Sequence, residues 1–412
     1  MVLKSVILGS LMVATTLSAG IKPQLVVFGD TLSDIGNIEN VTFVVPWWNG
    51  HFSTGPIWNE YLAYYKNYTL VSYAIGGATS NNTFVNMLAQ DNVTTSSVPD
   101  QIVTYTGVFG GKYNTSALAD DVVAIEIGAN DFLRIALLLA GDEIDVPAFI
   151  DGLVSNIINS LQSLIEFGYR KLLVTDIPDF KTIPEVIAFG ETVSFKIDEY
   201  VRAANTKLNV AAQKLATDNS ESIDYVRVVS FYNTLSAVTK KNVADALSIT
   251  VVDKECYPVA NRTLISSCDN PDQYVFADLI HPTTTIQALL GAIFAEIIDN
   301  GSFNYTEANL LALIKEYNVT SAKSQTNFMY SSPDSAKTGK LVIDEYTIKQ
   351  SIANAPALIR ANNAASSNGT SGNSTSGNST STSSTTKPNG SSRNFVSTII
   401  PVSLVSLILL VI

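Results

Sequence analysis

Residues 24–37 read QLVVFGDTLSDIGN, and this stretch decides the fold. Leu25, Val26, Val27 and Phe28 form a short, nearly continuous apolar run, as expected of a strand whose two faces are both covered. Gly29 permits a tight turn, and the hydroxyl residue Thr31 then sits just past the strand's C-terminal edge, where open α/β sheets place their ligands.

Outward from that stretch, similar apolar runs at 69–74, 121–127, 171–175 and 225–230 alternate with helix-period stretches at 57–66, 147–167 and 193–216. Such alternation predicts an α/β domain built on a parallel sheet, here over residues 21–300. The 412 residues are 46% hydrophobic and 15% charged, ample for a large core and too weakly charged for wholesale disorder. The net charge of −12, with no clustered Lys and Arg, argues against a nucleic-acid partner.

The ends read differently. Residues 1–20 pair a lysine with an apolar stretch and close on Ser18, Ala19 and Gly20, the layout of a signal peptide. Behind it come Asn-x-Ser/Thr sequons at Asn40, Asn67, Asn81, Asn92, Asn114, Asn261, Asn300, Asn304 and Asn318, which imply a glycosylated secretory product. On that route Cys256 and Cys268, twelve residues apart, are expected to form a disulfide.

Residues 301–361 read as a C-terminal extension with helices at 307–317 and 348–360, either packed on the main domain or forming part of a stalk. Residues 362–394 collapse to Ser, Thr, Gly and Asn, an expected glycosylated stalk. The apolar run 395–412 has the layout of a GPI-attachment signal, with attachment near Ser383, Ser384, Asn389 or Gly390; a transmembrane anchor is the alternative.

The segment FGDTLSDIGN at 28–37 resembles the FGDSLSDxGN block of GDSL, or SGNH, hydrolases, with Thr31 where the family has serine. SYAIGGATS at 72–80, IGANDF at 127–132 and DLIHPT at 278–283 resemble the family's later blocks in order and spacing, and GHFSTGPIWNEYLA from Gly50 resembles a further family segment. The resemblance covers about residues 24–298. It implies a three-layer α/β/α, flavodoxin-like fold with a mostly parallel five-stranded sheet. It also implies that the backbone N–H groups of Thr31 and Gly77 and the Asn130 amide meet the oxyanion, while Asp278 and His281 complete the triad.

The chemistry supports the same residues. An attacking hydroxyl needs an imidazole base, and the base needs a carboxylate to fix its tautomer. The chain has two histidines. His51 lies where the family has arginine and reads as a surface or packing residue, which leaves His281 as base and Asp278, three residues earlier, as its orienter. Ser33 reads as the N-cap of a following helix, and Trp47, Trp48 and Trp58 line a substrate groove or simply pack. No metal or organic cofactor is expected, since HExxH is absent and two histidines with scattered carboxylates form no zinc-like cluster.

The leading expectation is a secreted esterase or lipase acting on a small-molecule, lipid or glycan ester, monomeric and held at the membrane by its C-terminal tail. The alternative is an SGNH domain disarmed at Thr31, whose β-methyl restricts χ1, serving as a cell-surface binding protein.

Overall fold

The computed structural model describes residues 22–39, 43–113, 115–261 and 263–359. The expected signal peptide, stalk and hydrophobic tail, and the sequons at Asn40 and Asn114, lie outside the described residues. Asn67, Asn92, Asn261, Asn300, Asn304 and Asn318 are exposed.

The core of the molecule is a parallel sheet of β1 (Gln24–Gly29), β2 (Thr69–Ser72), β3 (Val122–Glu126), β4 (Lys171–Thr175) and β5 (Tyr225–Val229). Its order runs β2, β1, β3, β4, β5, with every neighbouring pair parallel. All residues of β1 and β3 are buried, which explains why their sequences are apolar on both faces rather than alternating.

The chain leaves β1 in one direction to reach β2 and then crosses back to β3, so right-handed crossovers put the connecting helices on opposite faces. The helix Trp58–Lys66 packs against Thr284–Asn300 on one face. Val98–Phe109, Val146–Phe167 and Glu191–Asp218 pack on one another over the other. Gly291 allows the first pair to approach closely, since a β-carbon there would stand 2.7 Å from Tyr61 Cβ and 2.8 Å from Trp58 O. In the same interface Trp58 stacks on Phe294 at 4.1 Å. The reversal of strand order between β1 and β3 opens a crevice at the C-terminal ends of the strands, the binding position of such sheets.

The sheet has six strands, not five. The sixth, Glu345–Tyr346, comes from the C-terminal extension and pairs in parallel with β2 at the sheet edge. Two residues are too few to produce a readable pattern, and their effect is to cover an edge that would otherwise present unpaired backbone groups. The extension also holds Trp48, whose Nε1–H donates to Ala336 O at 3.0 Å, and Asn37, whose Oδ1 accepts from Ile348 N at 2.8 Å. Helix 307–317 is present as Glu307–Glu316, whereas 348–360 is split into Ile348–Ala353 and Ala355–Leu358. Pro356 lies in the first turn of the second piece, where its missing N–H costs nothing.

Among the described residues no helix is long and apolar enough to cross a membrane. Cys256 and Cys268 are joined by a disulfide.

Candidate active site

Thr31 lies in the turn that ends β1. That turn closes through Ser33 N to Asp30 O at 3.1 Å and Leu32 N to Asp30 Oδ1 at 3.1 Å. His281 arrives from a loop 250 residues away, and its Nε2 lies 2.9 Å from Thr31 Oγ1. The His281 Nδ1 lies 2.9 Å from both carboxylate oxygens of Asp278. An ionised carboxylate only accepts, so Nδ1 carries the proton and Nε2 is left to accept from the threonine hydroxyl.

Asp278 holds its own loop in place by accepting from the backbone N–H of Ile280 at 2.9 Å and of His281 at 2.8 Å. Burial pushes its carboxyl up, but the His281 imidazole and these N–H groups outweigh that and hold it below the ordinary value. The carboxylate accepts one further bond, from Trp47 Nε1 at 2.6 Å.

The threonine methyl has a defined place. A β-carbon built on Gly76 would stand 3.3 Å from Thr31 Cγ2, so the space left by that glycine receives the methyl while Oγ1 faces His281.

The expected oxyanion donors converge from the ends of three strands. Thr31 follows β1, Gly77 follows β2 and Asn130 opens the helix Ala129–Ala140 after β3. Among the described residues neither the Thr31 N–H nor the Gly77 N–H has an acceptor. Asn130 differs, for its Nδ2 donates to Ala78 O at 2.9 Å and to Asp30 Oδ2 at 3.2 Å.

Carboxyl groups that sequence reading missed support this loop cluster. Asp34 accepts from Gly36 N at 2.8 Å, from Asn37 N, and from Gly76 N at 2.8 Å, tying the loop that carries Thr31 to the loop that carries Gly77. Burial pushes it up to about 6 against those N–H groups. Asp30 and Glu126 form a buried acid pair beneath Thr31, with Asp30 pushed well up by burial and by Glu126. Glu185, whose N–H donates to Leu279 O at 3.0 Å, is pushed up to about 7 by burial and by Asp278.

Ser33 is not a helix cap, because residues 34–39, which follow it, form no helix. Its hydroxyl is buried, donating to Glu126 Oε2 at 2.9 Å and accepting from Trp58 Nε1 at 3.0 Å. His51 is a packing residue and not a surface one: it is buried, with Nε2 2.9 Å from Glu60 Oε1 and Nδ1 3.2 Å from Asn49 O. Of the three tryptophans, Trp58 is core, Trp48 stacks on Tyr330 at 5.9 Å, and Trp47 stands edge-on to His281 at 5.6 Å. Among the described residues no group of three or more His, Cys, Asp and Glu is arranged to hold a metal ion.

The chain has relatives among known proteins. The chain is 26% identical over 292 residues to a thermolabile hemolysin of Vibrio parahaemolyticus, covering 67% of this chain and 64% of the hemolysin. It is 25% identical over 321 residues to the Arabidopsis thaliana GDSL esterase/lipase At1g71691, covering 66% of this chain and 81% of that protein. Among solved structures, LAE5, an α/β hydrolase enzyme from the Lake Arreo metagenome, aligns with a TM-score of 0.37 at 16% identity, over 68% of this chain and 96% of that one. The chain spans less than two thirds of the hemolysin's length. The model of the GDSL-like lipase/acylhydrolase family matches residues 25–294, the span that contributes every residue of the Thr31, His281 and Asp278 cluster, and the chain belongs to that family.

Proposed function

We propose that this protein hydrolyses carboxylic esters with Thr31 as nucleophile, His281 as base and acid, and Asp278 as orienter of the imidazole. The observation that carries the reading is the 2.9 Å contact of Thr31 Oγ1 with His281 Nε2, reached with the methyl seated against Gly76. Membership of an acylhydrolase family supports the reaction class.

Thr31 Oγ1 attacks the ester carbonyl carbon as its proton passes to His281 Nε2, and the carbonyl oxygen becomes an oxyanion facing the N–H groups of Thr31 and Gly77 and the Asn130 amide. Collapse breaks the carbon–oxygen bond to the leaving alcohol, which takes the proton from His281. Water then attacks the acyl-threonine with His281 again accepting a proton, and the carboxylic acid leaves as Thr31 regains its hydrogen. The substrate class is an acyl lipid or an acylated glycan.

A secreted, glycosylated, monomeric product held at the cell surface by a glycolipid anchor fits residues 1–20, the sequons and residues 362–412. Phospholipase cleavage of surface glycolipid on intact cells then releases the protein; retention contradicts that anchor.

The catalytic reading is tested by reacting the protein with a fluorophosphonate and mapping the adduct by mass spectrometry. A phosphonylated Thr31 that disappears in His281→Ala supports it. No adduct, or an adduct on another hydroxyl, overturns it.

A further inference from the structure

We propose that Trp47 is a positioning residue of the catalytic group, fixing the plane of the Asp278 carboxylate so that His281 stays aimed at a nucleophile with little rotamer freedom. This rests on the Thr31, His281 and Asp278 assignment above.

Asp278 is buried with its charge, and its two oxygens are anchored differently. Oδ1 accepts from Ile280 N, His281 N and His281 Nδ1, whereas among the described residues Oδ2 is met by His281 Nδ1 and Trp47 Nε1 alone. Without the indole, Oδ2 would share nothing but the proton of the ring it is supposed to orient, and the carboxylate could turn about its Cβ–Cγ bond. With the indole at 2.6 Å, a charge-assisted distance, both oxygens are fixed and Nδ1 lies equally far from each.

The donor is itself held. Trp47 packs on Phe52 at 4.5 Å and Phe43 at 5.0 Å, and Tyr257 and Val259 of the disulfide loop close the cluster. Ser53 Oγ donates to Pro282 O at 2.8 Å, so the turn carrying Trp47 is tied to the residue after His281. Behind it His51 is bound at both ring nitrogens by Asn49 O and Glu60.

A serine hydroxyl could follow an imidazole that wandered. Thr31 cannot, because its methyl is committed to the space beside Gly76 and χ1 is restricted. The additional anchor on Asp278 therefore matters more in this chain than it would beside a serine.

The test compares the full chain with Trp47→Phe, which keeps an aromatic ring and loses the N–H. A benzothienylalanine at 47, which keeps the bicyclic shape, is the second variant should phenylalanine disturb the turn. Only two histidines are present, so nitrogen NMR of labelled imidazoles reads the hydrogen bonding of each ring without any need for turnover. Losing the donor frees the Asp278 carboxylate to turn, so the Nδ1 resonance of His281 moves while the His51 resonances stay in place. Asp30 and Glu185, the other carboxyls facing the group, are unchanged between variants and cancel in the difference.

In turnover, kcat falls about 10- to 100-fold, the range for an ångström-scale misplacement, and falls less when the same change is made in Thr31→Ser. Unmoved His281 resonances, or an equal loss of kcat in both backgrounds, overturn the proposal. If the chain shows no esterase activity at all, the catalytic reading fails, and the nitrogen spectrum still decides whether Trp47 holds the carboxylate that His281 meets.

Discussion

The γ-methyl of Thr31 lies against Gly76, where an added β-carbon would stand 3.3 Å from Thr31 Cγ2 and 2.7 Å from the Phe52 ring. Phe52 in turn packs on His281 at 5.1 Å. Gly76→Ala therefore pushes on nucleophile and base together, and kcat/KM is expected to fall about 100-fold. Adding Thr31→Ser does not restore it, because the conflict with Phe52 is the tighter of the two. Recovery in the double variant would show that the methyl alone is responsible.

Asn130→Ala removes the amide that bridges Ala78 O and Asp30. If that amide turns to the oxyanion in the transition state, kcat falls about 10²- to 10³-fold with KM nearly unchanged. Steady-state kinetics on an aryl ester check this, and a rise in KM alone assigns Asn130 to ground-state binding.

Four buried carboxyls give stability an unusual pH dependence. Burial pushes Asp34 and Asp131 up to about 6, and Asp176 and Glu126 up to about 7. In the unfolded chain such groups titrate near about 4, so between about pH 4 and 7 the folded state binds more protons and stability falls as pH rises. His51, which Glu60 pushes up against the effect of burial, loses its contribution in the same direction. Asp278 acts oppositely, and only at lower pH, where its protonation costs stability. Thermal unfolding is expected to show a higher Tm near pH 4.5 than near pH 8; the reverse order contradicts these assignments.

The disulfide joins cysteines twelve positions apart and closes the loop whose Tyr257 and Val259 support Trp47. Replacing Cys256 and Cys268 by serine is expected to cost about 3 kcal/mol in chemical denaturation. Activity should fall further than stability at assay temperature explains, because the floor beneath Trp47 loosens. Full activity in a folded double variant would separate the loop from the site.

Strands β1 to β4 were legible because they are almost wholly buried and read as apolar runs, and β5, half-buried along most of its length, because its run is rich in valine. Thr31, Gly77 and Asn130 lie past the ends of β1, β2 and β3, whereas Asp278 and His281 come from a loop and were singled out by the resemblance of 278–283 to a family block. The edge strand Glu345–Tyr346 was not legible, since two residues carry no period. Ser33 misled because a hydroxyl after a strand resembles a cap, and only the structure of residues 34–39 shows that no helix begins there. Trp47 and Asp278 are 231 residues apart, and Asp34 and Gly76 are 42, so their pairing is a product of tertiary approach that no local pattern announces. The helices of the extension were legible but its docking was not, for the same reason, as its contacts with Trp48 and Asn37 follow from approach to the sheet edge.

The most direct measurement is hydrolysis of a short-chain aryl ester by the full chain beside Thr31→Val, which keeps the branched shape and the packing against Gly76 but has no hydroxyl. The wild-type chain should turn over, with Thr31→Ser within about tenfold of it and Thr31→Val no faster than His281→Ala. Turnover by Thr31→Val at the wild-type rate, or turnover only after Thr31→Ser, would contradict the assignment of Thr31 as a working nucleophile.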